Sequence, residues 1–265
     1  MQQTILVTGG FGFLGRAVTL KYKMLGHRVI GMGHSQWTTK QALSFGYDVW
    51  VEASVSLTSL ITLDEKFDLV VHCAGGSSVA HSLTNPFEDF SRNVLATAEL
   101  LEYLRISESE AMLIYPSSAS VYGICEDIEI NESDNLNPIS PYGYHKKMIE
   151  EMLDMHSKIY KTQVVIIRFF SIYGPYLKKQ LLWDASSKLL MADKEADFWN
   201  IYTILYGVIF KVKWLFGIKS YPPTATLFPR ALVPRFTWEV VKSSKSDQAG
   251  DQKCIESILE IHTTP

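Results

Sequence analysis

Cysteine is scarce in this sequence. Its 265 residues contain only Cys73, Cys125 and Cys254, with no CxxC pair, no histidine partner at metal spacing and no even count for a disulfide framework. A disulfide-stapled scaffold and a cysteine metal centre are therefore excluded, and a reducing compartment is the default. Charge of one sign is also lacking: 25 Lys+Arg stand against 28 Asp+Glu for a net charge of −3, which excludes a polybasic nucleic-acid arm. At 47% apolar and 20% charged residues the chain is neither disordered nor collagenous. Met1-Gln2-Gln3-Thr4-Ile5 has no basic region leading into an apolar core and a cleavage site, so residence in the cytoplasm is expected. A long hydrophobic run is missing too. The best candidate, 198–218, has an uninterrupted apolar stretch of ten residues at 201–210 followed by Lys211 and Lys213, too short to cross ~30 Å of hydrocarbon.

What is present is an alternation of strands and helices. Thr4–Thr8 is a β-branched and aliphatic run ended by Gly9-Gly10, after which the apolar spacing from Leu14 to Leu25 is helical. Further strands are expected at His27–Met32, Phe67–Ala74, Ala111–Tyr115 and Thr162–Arg168, with a short extra one at Asp48–Val51. Helices are expected over Asn85–Leu104 and Pro141–Tyr160, the second capped by Ser140 with Pro141 in its first turn. Strands apolar on both faces, separated by helices, point to a doubly wound α/β fold with a buried parallel sheet.

Three motifs lie on this frame. Gly9-Gly10-Phe11-Gly12-Phe13-Leu14-Gly15 places glycines where strand one meets helix one. The first permits the turn, the second lets backbone approach a pyrophosphate, and the third lets helix pack on strand, while the helix start offers N–H groups and a positive dipole end. Tyr142-Gly143-Tyr144-His145-Lys146 sets Tyr142 and Lys146 at i and i+4 on one helix face. A lysine there can lower the phenol pKa and hold a ribose hydroxyl, leaving tyrosine to act as base for a sugar hydroxyl or as acid for a carbonyl oxygen. Ser117-Ser118-Ala119-Ser120-Val121-Tyr122-Gly123 follows a strand at the sheet edge where open α/β sheets bind ligands.

In this order and register the motifs resemble the extended short-chain dehydrogenase/reductase family, in its NAD(P)-dependent sugar epimerase/dehydratase branch. The resemblance covers about residues 3–199 and includes His72-Cys73-Ala74-Gly75, Asn93 and Arg168-Phe169-Phe170-Ser171-Ile172-Tyr173-Gly174-Pro175. It implies a Rossmann-type domain over 1–175, the start of a substrate lobe over 176–199, NAD or NADP as cofactor and a nucleotide sugar as substrate. By the same resemblance Tyr142 is the acid/base, Lys146 orients the nicotinamide ribose and Ser118 hydrogen-bonds the reacting sugar oxygen. Gly9, Gly12 and Gly15, with Phe11, Phe13 and Leu14 between them, lie at the pyrophosphate. Ala74 and Gly75 pass beside the cofactor, Asn93 fixes neighbouring backbone, Phe170 packs near the nicotinamide, and Ser120 and Ser171 face the substrate. A homodimer through Asn85–Leu104 and Pro141–Tyr160 is left open.

Family dehydratases place an Asp-Glu pair after the position of Ser118, and here those positions hold Ala119 and Ser120. Neither can protonate a leaving hydroxyl or take a carbon-bound proton. Epimerisation through a 4-keto intermediate, or NADPH-dependent keto-sugar reduction, remains. Strand two ends Gly31-Met32-Gly33-His34-Ser35, without the acidic residue that NAD users carry for the adenosine ribose. With no carboxylate to repel a 2′-phosphate, and with His34, Ser35 and Lys40 as donors, NADP(H) becomes credible. Ser54 stands about where an aspartate usually meets the adenine.

The family's Gly-x-Gly-x-x-x-Arg-Asp-Phe-like segment is not found after Trp199. Residues 1–199 carry a net charge of −6 and 200–265 one of +3, and five of the ten prolines fall in that last stretch. The sequence therefore leads to the expectation of an atypical basic, proline-rich tail in place of a full substrate lobe, and of a small, incomplete lobe. A dinucleotide-binding module of impaired catalysis is the corresponding alternative function.

Overall fold

In the computed structural model, which describes residues 2–34, 37–124, 130–170, 172, 174, 176–177, 183 and the backbone of 239–242, Thr4–Thr8 forms β1 and the glycine turn leads into α1, Phe13–Met24. Then come β2 (Arg28–Met32), α2 (Thr39–Phe45), β3 (Val49–Val51), α3 (Leu57–Leu63) and β4 (Leu69–His72). Helices α4 (Val79–Thr84) and α5 (Pro86–Phe90) run through a π turn, Ser91–Leu95, into α6 (Ala96–Ile106). The series continues with β5 (Met112–Ser118), a 3₁₀ turn at Ala119–Val121, α7 (Pro141–Tyr160), β6 (Val164–Phe169) and β7 (Glu239–Lys242).

The strand order is β3-β2-β1-β4-β5-β6-β7, parallel throughout except for β7, which pairs antiparallel with β6. The chain winds outward from β1 to β3, then returns to lay β4 on the other side of β1, in register Thr8↔His72. The carboxyl ends of β1 and β4 thus flank the switch point of the sheet, where such folds open a ligand crevice. Alternate residues explain the continuous apolar runs. Leu6, Ile30, Val70 and Leu113 face one layer with Leu60 of α3, Leu100 of α6 and Leu153 of α7. Ile5, Val7, Val29 and Val71 face the other with Val18 and Tyr22 of α1. A strand covered on both faces has no polar side to alternate with.

Local chemistry sets the helix ends. Ser140 Oγ accepts the Gly143 N–H and Pro141 occupies the first turn of α7. The short helices α2 and α3 each begin with a capping box, Thr38 with Gln41 and Ser56 with Ser59. The single helix expected over Asn85–Leu104 is instead α5, the π turn and α6 in series, and the π turn carries Asn93. The stretch 200–265, read from sequence as an atypical basic, proline-rich tail, contributes β7 to the sheet.

The chain divides into two units, one of Met1–Ile124, Asn131–Phe170 and Trp238–Pro265, the other of Cys125–Ile130 and Ser171–Thr237. In the second, the Leu177 N–H donates to the Gly174 carbonyl at 3.3 Å. The expected lobe segment 178–199 apart from Trp183, the 198–218 apolar segment and the tail apart from β7 lie outside the described residues. Among the described residues no helix is long and apolar enough to cross a membrane.

His72, at the end of β4, is 1% exposed and sits between the hydroxyls of Thr8 at 2.8 Å and Thr97 at 3.1 Å. Burial, with the charge of Lys146 adding to it, lowers its pKa to about 3. The folded pKa lies below the unfolded one, so the unfolded chain binds the extra proton and stability falls as pH drops below about 6.5. Taking the pH from 7 to 5 should cost about 2 kcal/mol through this residue. Urea denaturation of the protein and of His72→Gln at both pH values checks this, and an equal acid loss in the two proteins would rule His72 out as its source.

Candidate active site

The glycine turn is built so that side chains cannot occupy it. Gly9 has φ 64°, and a Cβ there would lie 2.6 Å from the Ala74 N and the Cys73 carbonyl oxygen. A Cβ on Gly15 would lie 2.5 Å from the Gly9 oxygen, so α1 could not close onto the turn with any larger residue. At Gly12, the cap of α1, no side chain caps the helix. The chain thereby keeps a backbone-lined cradle at a positive helix end, the arrangement suited to a pyrophosphate. Ala74 and Gly75, half-buried and exposed respectively, lie just past β4 beside it. Phe11, Phe13 and Leu14 are half-buried in and just after the turn.

Beside the cradle the structure adds a feature that sequence reasoning missed. Arg16 Nε donates to the Phe11 carbonyl at 2.8 Å, and its guanidinium lies 4.3 Å from the Phe11 ring centroid and 4.7 Å from that of Trp37. Trp37 continues into Phe45, Tyr47 and Trp50. His34, just past β2, is exposed, whereas Ser35 lies outside the described residues.

The second group gathers where β5 ends against α7. Tyr142 and Lys146 are both buried, at 8% and 6% exposure, because the first two turns of α7 pack over α4, α5 and the 3₁₀ turn. The Tyr142 N–H donates to Ser82 Oγ of α4 at 3.1 Å, fixing the start of the helix. Burial pushes the Tyr142 phenol up to about 12; a hydrogen bond with Ser118 opposes the rise and the charge of Asp89 adds to it. Tyr142 and Ser118 are therefore brought together, with Tyr142 protonated at neutral pH. Ser118 Oγ also accepts the Ser120 N–H at 3.2 Å, while Ser120 Oγ is buried without a hydrogen-bond partner.

Lys146 departs from the sequence expectation that it would lower the phenol. Its ammonium donates to the Tyr115 hydroxyl at 2.8 Å and the Pro116 carbonyl at 2.9 Å, and stands 5.7 Å from the Tyr142 ring centroid. Burial lowers its own pKa to about 8, against the charges of Asp89, Cys73 and Glu150. Asn93 is buried on the π turn, its Nδ2 donating to the Asp89 carbonyl at 2.9 Å, with Oδ1 unpartnered. Phe170 is half exposed and stacks on Tyr122 at 6.2 Å, whereas Ser171 lies outside the described residues.

Tyr115, Asp89, His145, Glu150 and Arg168 were not singled out from sequence. Arg168 Nη2 pairs with Glu150 at 2.7 Å, Arg168 Nη1 donates to the Tyr122 hydroxyl at 2.7 Å, and Ser117 Oγ donates to Glu150. This buried network ties β6, α7, β5 and the 3₁₀ turn together directly behind Ser118. Among the described residues no cluster of His, Cys, Asp or Glu is placed to hold a metal ion.

An open parallel sheet with a glycine cradle at its switch point, and a buried Tyr-x-x-x-Lys helix facing a serine loop, defines a dinucleotide-binding α/β protein of the short-chain dehydrogenase/reductase type. Residues 5–192 match the model of the NAD dependent epimerase/dehydratase family, and the chain belongs to that family. It is 28% identical over 204 residues to UDP-glucuronate 4-epimerase 1 of Arabidopsis thaliana, covering 72% of this chain and 47% of the relative. It is 33% identical over 172 residues to a UDP-glucose 4-epimerase of Halalkalibacterium halodurans, covering 64% and 51%. Among solved structures, UDP-glucose 4-epimerase from Brucella ovis in complex with NAD superposes with a TM-score of 0.59 at 28% identity, over 64% of this chain and 52% of that one. The chain spans about half the length of these relatives.

Proposed function

We propose that this protein is an NAD(P)-dependent nucleotide-sugar epimerase that works through a 4-keto intermediate by hydride transfer. The observation that carries the reading is the convergence of Tyr142 and Ser118 at the end of β5, with Lys146 one turn along α7. Residues 1–175 are read as the dinucleotide-binding domain and 176–199 as the start of the substrate lobe. Gly9, Gly12 and Gly15 would hold the pyrophosphate, Ala74 and Gly75 would border the ribose, and Asn93 and Phe170 would shape the nicotinamide end. The bound dinucleotide would supply the hydride acceptor and donor.

The chain's own residues handle the proton. The Tyr142 oxygen takes the proton from a sugar hydroxyl as that carbon becomes a carbonyl, and returns it when the carbonyl is reduced from the other face. Ser118 Oγ would hydrogen-bond the same sugar oxygen, and Lys146 would hold the ribose of the bound dinucleotide. A phenol near 12 must lose its proton for the first half of this cycle, so the Ser118 hydrogen bond, which lowers it, works in the direction of catalysis. Ala119 and Ser120 give no acid or base for elimination of water, which favours epimerisation over dehydration.

NADPH-dependent reduction of a keto sugar is the second reading, favoured by the absence of a carboxylate at the Met32-Gly33-His34 end of β2. Leu95, Met148, Met155 and Ile159 are exposed apolar side chains on the π turn and α7, and they support a homodimer through these helices. Calorimetric titration with NAD(H) and NADP(H) tests the dinucleotide site. Binding of at least one pair is expected, and tighter binding of NADPH would select the reductase reading. A folded sample that binds neither at millimolar concentration would sink the proposal.

A further inference from the structure

Asp89 is unused in the chemistry set out above, yet its carboxylate is 1% exposed. It projects from α5, with Oδ2 2.6 Å from His145 Nδ1, and His145 stands three residues after Tyr142 and directly before Lys146. The other oxygen, Oδ1, has no hydrogen-bond partner. It lies against Gly76, where a Cβ would come within 2.9 Å. A buried carboxylate oxygen without a donor is costly, and its retention calls for a reason. Lys146 offers one. Its ammonium is enclosed, and the two acceptors that it contacts, the Tyr115 hydroxyl and the Pro116 carbonyl, are both neutral. Of the carboxylates acting on it, Glu150 is already held by Arg168 and Ser117, which leaves Asp89.

We propose that Asp89 is a positioning residue of the Tyr142–Lys146 pair: through His145 it pins the first turns of α7 to α5, and its negative charge keeps the enclosed Lys146 ammonium protonated. The electrostatics agree, since burial draws the lysine down to about 8 and Asp89 is the foremost charge acting against it. The titratable groups facing Lys146 are Cys73 and His72 at the end of β4, Tyr115 on β5, Tyr142 and Glu150 on α7, and Asp89 on α5. Those facing Asp89 are His145, Tyr142 and Lys146 on α7 and Tyr115 on β5.

The purpose of this device rests on the proposed function, but the protonation of Lys146 can be measured in the full chain alone. The probe is lysine labelled with ¹³C at Cε, titrated by NMR, with the Lys146 signal assigned from the spectrum of Lys146→Arg. Asp89→Asn should move the Lys146 midpoint down by about 1 pH unit. Glu88→Gln, a half-buried carboxylate on the same helix that pairs with Arg92 and His81, should leave it in place. His145→Gln keeps the Asp89 charge and should also leave the midpoint near its original value. Should Asp89→Asn fail to fold, Asp89→Ser carries the same expectation.

An unmoved midpoint in the Asp89 variants would overturn the proposal. So would an equal downward shift in His145→Gln, which would make the effect one of packing alone. Dinucleotide titrations run in parallel at pH 8 should weaken about fivefold in Asp89→Asn, following the protonated fraction of the lysine. If no variant and no wild-type sample binds dinucleotide while the NMR shift is present, the proposed function fails and the role of Asp89 stands.

Discussion

Tyr142→Phe is expected to lower nucleotide-sugar turnover by about 10²–10⁴-fold, the usual worth of a general acid–base group, while dinucleotide affinity changes less than about twofold. The substitution removes one oxygen and keeps the ring, so the packing of α7 over α4 and α5 is retained. The Tyr142 N–H still donates to Ser82 at 3.1 Å, and Lys146 still donates to Tyr115 and Pro116. Steady-state rates measured beside a calorimetric titration separate the two effects. Equal turnover by the parent and the variant would assign the proton transfer to another group, and a collapse of binding would mean that the hydroxyl holds the cofactor rather than the substrate.

Arg168→Ala should destabilise the fold by about 3–5 kcal/mol, the range for breaking a buried pair by removing one partner. The two side chains are 5% and 6% exposed, so Glu150 would be left as an enclosed charge bound only by Ser117. The Tyr122 hydroxyl and the Glu132 carbonyl would also lose their donor. Replacing the pair together, as Arg168→Met with Glu150→Leu, should recover much of that loss, because no uncompensated charge remains. Chemical denaturation of the single and double variants decides the matter. A single-variant loss below about 1 kcal/mol would mean that water reaches Glu150 and that the network is not an enclosed one.

Much of the frame could be read from the residues because its signals are local. The strand β1 and the helix α7 fall on the residues that β-branching and the Ser140-Pro141 cap indicate. The helices α2 and α3 escaped because seven residues make too few turns for a period to register, although Thr38-x-x-Gln41 is a capping pattern that could have located the first of them. The motif residues Tyr142, Lys146 and Ser118 were legible through family resemblance. Their supporting groups were not, because Tyr115 reaches Lys146 from 31 residues away and Asp89 reaches His145 from 56. Such contacts are created by the stacking of α5, α7 and β5, and nothing in either local sequence announces them. The partnership of Arg168 with Glu150 was hidden for the same reason, although Arg168 itself stood in a quoted motif.

The placement of β4 beside β1 also governs when a competent crevice can exist during synthesis. Thr8 and His72 are register partners although 64 residues separate them, and the intervening chain forms β2 and β3 on the far flank. The glycine turn emerges from the ribosome early but has only one wall until β4 arrives. Closing so long a loop must be compensated by contacts made across the whole sheet. Nucleotide recognition in this fold is thus acquired late and cooperatively, and an amino-terminal fragment ending before Leu69 would carry the complete glycine motif without the second strand that makes it a crevice.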